Sequence, residues 1–152
     1  MADVWRKLNL KDHSEIVVVN APASFEPALN ALEGVTVKRR PAAAKQIAFF
    51  LAFVTTQKDV DELAKVVARK TTGDAVVWFA YPKSTSKKYK SEISRETGNQ
   101  GLGEAGFEPV RMVAIDEDWT GKRFRRVEFI KNLTRDPRAL VSKEAKKRVA
   151  RR

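Results

Sequence analysis

Cysteine is absent from this chain, and histidine occurs once. The first absence excludes disulfides, thiolate metal sites and thiol nucleophiles. The second excludes the common zinc constellations, which draw on several histidines or cysteines. His13 sits beside Asp12 and Ser14, but a catalytic triad needs convergence in space, which adjacency in sequence does not supply. It reads as a surface or capping residue. Only seven glycines are present, and no G-x-x-x-x-G-K-[ST] phosphate loop occurs. Long apolar runs are missing too: the longest strongly apolar stretch, residues 47–54, is far too short to span a bilayer. The opening M-A-D-V-W-R-K-L lacks the apolar core of a secretory signal. A cytoplasmic location without a membrane partner is the expectation.

What the chain has in plenty is positive charge, +11 over 152 residues. Its placement matters more than its size. Nine basic and two acidic residues lie between Lys131 and Arg152, and five basic and one acidic between Lys83 and Arg95. These two segments account for the whole excess, so attraction to an anion would come from two places and not from a general basic coat.

Strand and helix signals alternate through the first hundred residues. E-I-V-V-V at 15–19 is a short β-branched run, and N-A-P-A-S at 20–24 reads as a turn. Phe25, Leu29 and Leu32 then follow helical spacing up to Gly34. A brief strand at 35–39 and a buried one at 47–54 come next. Residues 56–72 form the clearest helix, with Val60, Leu63, Ala64, Val67 and Ala68 on one side. A-V-V-W-F-A at 75–80 is another buried strand, and residues 84 to about 98 are expected as a polar helix. Two strands, 110–115 and 123–130, flank a Gly-containing turn and predict an antiparallel hairpin.

Near-continuous apolar strands alternating with helices indicate an α/β fold. The expected architecture is Rossmann-like: a mostly parallel sheet, helices on both faces, and a C-terminal antiparallel hairpin at the edge. Residues 1–131 would form a single domain and 132–152 a basic, helical tail. The layout resembles that of class I methyltransferases shortened by about one βα unit. V-V-V-N-A-P at 17–22, Y-P-K-S-T-S-K at 81–87, and V-A-I-D-E-D-W with R-F-R at 113–125 resemble an uncharacterised family of small bacterial proteins related to that fold. The resemblance spans about Leu8 to Lys131 and implies the fold without a catalytic role.

A methyltransferase of this class binds S-adenosylmethionine on a glycine-rich turn after its first strand. Glycine there allows positive φ and close approach of the backbone. Here the turn is Asn20-Ala21-Pro22-Ala23, and the second strand ends in Lys38-Arg39-Arg40 where an acid would meet the ribose. From these two departures no cofactor is expected. The literal G-x-G-x-x-G at 101–106 is a decoy, since a helix precedes it and a strand follows, the reverse of the fingerprint. Its glycines are expected to end a helix and turn the chain.

Asp116, Glu117 and Asp118 could in principle hold a divalent cation. Lys122, Arg123, Arg125 and Arg126 lie across the same turn, so charge pairing over the hairpin is favoured and no metal is expected. Trp78 and Trp119 read as core or half-buried rings, with a stacking role open to Trp119.

In open α/β sheets, ligands bind beyond the carboxyl ends of the strands. Asn20 and Tyr81 occupy such ends. Ser84, Thr85 or Ser86 would cap the next helix, and Lys83, Lys87 and Lys88 would add charge for a phosphate or carboxylate. A small anionic ligand is therefore predicted at Asn20, Tyr81, Lys83, Ser84, Lys87 and Lys88. In the tail, Asp136-Pro137 suits a helix start. Leu140 and Val141 could dock, while Lys143, Lys146, Lys147, Arg148, Arg151 and Arg152 would hold nucleic acid or an acidic partner. The leading expectation is a non-catalytic binding protein for an anionic partner on a degenerate methyltransferase-like scaffold. The alternatives are an enzyme acting on a small anionic substrate, a divergent S-adenosylmethionine-dependent methyltransferase, or a scaffold protein.

Overall fold

A computed structural model describes residues 2–94, 97–130 and 140–150. Six strands form one sheet in the order β2-β1-β3-β4-β6-β5. They are β1 (Glu15–Val19), β2 (Thr36–Lys38), β3 (Phe49–Phe53), β4 (Val76–Pro82), β5 (Phe107–Ala114) and β6 (Trp119–Arg126). The first four run parallel, and the β5–β6 hairpin closes the edge antiparallel to β4. Among the described residues five α-helices accompany them: α1 (Ala2–Lys7), α2 (Glu26–Asn30), α3 (Gln57–Lys70), α4 (Gln100–Glu104) and α5 (Lys143–Ala150). The fold is the expected Rossmann-like α/β arrangement.

The side-chain period of two explains why these strands are apolar throughout. Val17 and Val19 point to one face, where Val60, Ala64 and Val67 of α3 and Leu102 of α4 cover them. Ile16 and Val18 point to the other, under Trp5 and Leu8 from the α1 region and Ala28 and Leu29 of α2. With both faces covered, neither set can be polar. Burial of Val60 and Val67, each about 1% exposed or less, contributes roughly 1.5–3 kcal/mol apiece. The Thr56 hydroxyl caps α3 by accepting from Asp59 N. No described helix is long and apolar enough to cross a membrane.

One predicted element does not form. Among the described residues between Ser84 and Ser94 there is no helix, only turns and bends. The hydroxyls that suggested a cap close local loops instead: Ser86 Oγ accepts from Lys88 N and Tyr89 N, and Ser91 Oγ accepts from Ile93 N while donating to Ile93 O. Such bonds compete directly with a helical ladder.

The chain beyond Leu140 returns to the domain. Leu140 and Ala145 are buried with Val127 and Ile130. Buried Glu108 accepts from the N–H groups of Val141 and Ser142 through one carboxyl oxygen. Ser142 Oγ then caps α5 by accepting from Ala145 N at 3.0 Å. Asp136 and Pro137, read as that helix's start, lie outside the described residues.

The glycine run also has a tertiary reason. Gly101 and Gly103 lie inside α4, and Gly106 (φ 90) ends it. A Cβ on Gly103 would stand 2.7 Å from the Val141 carbonyl oxygen. Glycine is therefore what lets the C-terminal segment lie against α4.

Candidate functional site

Because β1, β3 and β4 are parallel, their carboxyl ends share one rim of the sheet. Three connections meet there. The first follows β1, where Asn20 takes φ 59 and Pro22 is extended. The second is the loop after β4. The third is the β5–β6 turn, residues 115–118, which ties the other two together. Asp116 Oδ2 accepts from Ser24 Oγ at 3.0 Å, and Asp118 Oδ1 accepts from Ser86 Oγ at 2.8 Å. Lys83 N donates to Asp118 O at 2.8 Å. Asp116 Oδ1 also accepts from Asp118 N and Trp119 N, both at 2.9 Å, so its carboxylate shapes the turn itself.

Charge pairing across the hairpin is accordingly not how these acids are used. The antiparallel register sets Trp119 opposite Pro82 at the rim, and Arg123 opposite Trp78 further down. At roughly 3.3 Å per residue, the cations leave the turn behind within a few positions. Arg125 meets Asp74 at the opposite end of β4, and Arg126 donates to the Gly73 and Thr71 carbonyls. Arg123 donates to Asn9, and burial lowers its pKa. Among the described residues no group of three acids or histidines could hold a metal ion.

An aromatic wall stands over β3. Phe53 at its end touches Phe25 (5.0 Å between centroids) and Trp119 (5.1 Å), and Trp119 touches Tyr89 (5.1 Å). Trp119 is 4% exposed, and its Nε1 is buried without an acceptor among the described residues. Trp78, by contrast, donates to Leu8 O and is wholly core.

Beside this wall, past β4, lies a hollow of about 830 Å³. Tyr81, Lys83 and Ser84 line it, as predicted residues, and so do Lys90, Ser94 and Thr120, which the sequence reading missed. Lys90 and Ser94 fall in the same hydroxyl-rich loop, whose course the helical reading did not anticipate. Lys87 and Lys88 are exposed and outside the lining; Lys88 lies over the Tyr89 ring, 5.6 Å from its centroid. Asn20 is exposed on the neighbouring turn and does not line the hollow. With no helix after Ser84, the expected helix dipole is also missing. On α5, Lys143, Lys146 and Lys147 are exposed, whereas Arg148 donates to Val127 O at 2.9 Å. Arg151 and Arg152 lie outside the described residues. His13 is half-buried edge-on to Phe49, and burial lowers its pKa.

No family profile matches the chain, and no curated protein matches it. Solved structures do. It is similar to an S-adenosylmethionine-dependent methyltransferase from Aquifex aeolicus, with TM-score 0.60 and 15% identity, over 83% of this chain and 89% of that one. It is similar to the N-methyltransferase NodS from Bradyrhizobium japonicum, with TM-score 0.51 and 11% identity, over 82% and 93%. A third is a phosphoethanolamine N-methyltransferase from Haemonchus contortus, solved with S-adenosylhomocysteine, at TM-score 0.50 and 10% identity, over 83% and 38%. At such identities the likeness establishes the fold: this is a methyltransferase-like Rossmann scaffold. It speaks for the methyltransferase-like alternative above the non-catalytic anion-binding reading.

The expectation of no cofactor is overturned by the same neighbours, which include a protein holding S-adenosylhomocysteine. Two features of the structure bear on the departures read from the sequence. The left-handed backbone that glycine would supply after β1 is supplied by Asn20, one of the few side chains that tolerate it. An acid does reach the end of β2, but from α2: Glu26 accepts two bonds from Arg39, at 2.9 and 2.8 Å.

Proposed function

We propose that this chain is a divergent methyltransferase-like protein that takes a ligand of the S-adenosylmethionine type above the carboxyl ends of β1, β2 and β3. The observation that carries the proposal is the turn after β1. On a sheet of this order, Asn20 holds the left-handed geometry on which such a ligand's backbone contacts depend. Glu26 would accept from the ribose hydroxyls, with Arg39 keeping its carboxylate ionised and oriented. The buried rings of Phe25, Phe53 and Trp119 exclude water from the strand ends, and Trp119 Nε1 offers an unused donor. When bound, S-adenosylmethionine supplies an electrophilic methyl group on a sulfonium.

Calorimetric titration of the full chain with S-adenosylhomocysteine tests this. Saturable binding is expected, retained in Asn20→Gly and weakened by about tenfold or more in Glu26→Gln, in proportion to one charge-assisted bond. A folded protein that shows neither heat nor chemical-shift change around Asn20 and Glu26 at millimolar ligand would refute the proposal.

A further inference from the structure

The hollow past β4 carries chemistry that the nucleoside reading does not use. Three features distinguish it from an ordinary solvated loop. First, its lining among the described residues includes Lys83 and Lys90 but no carboxylate. Of the described acids beside these segments, Glu92 accepts from Gln57 N at 2.9 Å and Asp118 accepts from Ser86 Oγ, and neither pairs with Lys83 or Lys90. Second, neither lysine ammonium has a hydrogen-bond or ion-pair partner among the described residues. Third, neutral donors remain open beside them. The backbone N–H groups of Ser84, Lys90 and Ser91, and the Ser84 hydroxyl, donate to no described residue. The Ser86, Ser91 and Thr120 hydroxyls already donate to protein acceptors, Asp118 Oδ1, Ile93 O and Val113 O.

A concave site with two unpaired ammonium groups and no lining carboxylate among the described residues selects a group of negative charge. We infer that this hollow binds the phosphate group of a small phosphorylated molecule. Lys83 and Lys90 contact the phosphate oxygens, and the flanking N–H groups complete their coordination. A tetrahedral dianion carries more charge and accepts from more donors than a carboxylate can, which suits two unpaired ammonium groups. The aromatic faces of Tyr81 and Tyr89, which also line the hollow, give the organic part of such a ligand an apolar surface. At about 830 Å³ the space suits a molecule of nucleotide or sugar-phosphate size. The inference stands independently of the ligand proposed over β1, because β4, its loop and β6 build this hollow.

The test is a heteronuclear NMR titration of the full chain with inorganic phosphate, adenosine monophosphate, adenosine and acetate, in separate arms. Shifts at Lys83, Ser84, Lys90 and Ser91 are expected with both phosphate-bearing probes, with the nucleotide tighter than phosphate alone and no shift at these four residues with adenosine. Lys83→Gln/Lys90→Gln should weaken nucleotide binding by about a hundredfold, at roughly tenfold for each charged bond. Both side chains are unpartnered, so the melting temperature should hold. Lys143→Gln/Lys146→Gln/Lys147→Gln on α5 should leave binding unchanged. Equal affinity in the Lys83/Lys90 variant would overturn the inference. So would loss in the α5 variant, which means general polycation binding, or an acetate response equal to that of phosphate. Adenosine shifts confined to Asn20 and Glu26 belong to the site over β1 and leave the inference standing, whereas adenosine shifts at Lys83 and Lys90 equal to those with the nucleotide would overturn it.

Discussion

Replacement of Glu108 by alanine should detach α5 while leaving the sheet folded. Glu108 is wholly buried, and one of its carboxyl oxygens receives the N–H groups of Val141 and Ser142. Alanine removes that acceptor and strands two buried donors at about 1–3 kcal/mol each, so the docked form loses roughly 2–6 kcal/mol. The apolar gain that holds the segment down comes chiefly from Leu140 and Ala145. It amounts to about 2–4 kcal/mol on the scale of 1.5–3 for a buried leucine and ~0.8 for a methyl. The two ranges overlap with the penalty the larger at their midpoints, so the segment releases and water satisfies the two donors. Hydrogen exchange reads this directly. The amides of Ala145 and Lys146, bonded to the Ser142 hydroxyl and carbonyl, should lose protection by about 30-fold or more, equivalent to ~2 kcal/mol. The amides of β3 and β4 should change far less. Unchanged α5 protection in a folded Glu108→Ala protein would refute the assignment of Glu108 as the anchor.

Two further outcomes follow from close contacts. Gly103→Ala places a Cβ 2.7 Å from the Val141 carbonyl oxygen, so it should cost about 1–3 kcal/mol in urea unfolding. In a variant that already lacks the Glu108 anchor, where nothing remains docked to clash with, that cost should shrink. The Glu26 carboxyl should titrate below its ordinary value of 4.5, because Arg39 hydrogen-bonds it. A depressed carboxyl pKa contributes stability above its unfolded value, and that contribution disappears as pH falls through the folded one. Arg39→Gln should return the titration, followed by NMR, to the ordinary range; an unmoved Glu26 would show that the pair does not persist in solution.

Much of the fold was legible in the residues because its cause is local and periodic. Ile16 to Val19 are apolar at every position, which suits only a strand covered on both faces. The spacing of Val60, Ala64 and Val67 suits only a helix laid on one of them. The site was half legible. Tyr81, Lys83 and Ser84 follow a buried strand, so their place at a strand end could be foreseen. Lys90 and Thr120 could not, because the first depends on how an irregular loop folds back and the second on the register of a distant hairpin. The same limit explains the misread loop. Ser86 and Ser91 favour a helix start or a closed turn about equally, and the choice falls to Asp118, which lies 32 residues from Ser86.

The turn after β1 shows the division most plainly. By composition it lacks glycine, and the residues alone argued against a cofactor. In the folded chain Asn20 adopts the left-handed backbone regardless, and Glu26 arrives from a helix at the place where the second strand offers only cations. Sequence by itself determined the class of fold, the two basic segments, and the absence of thiol chemistry, since each follows from residue type and short-range period. Tertiary structure decided which side chains meet: Asp116 and Asp118 as the clasp of the rim, Glu108 as the anchor of α5, and Lys83 with Lys90 around one hollow. Those meetings are set by strand register and chain return over tens of residues, and no local preference encodes them.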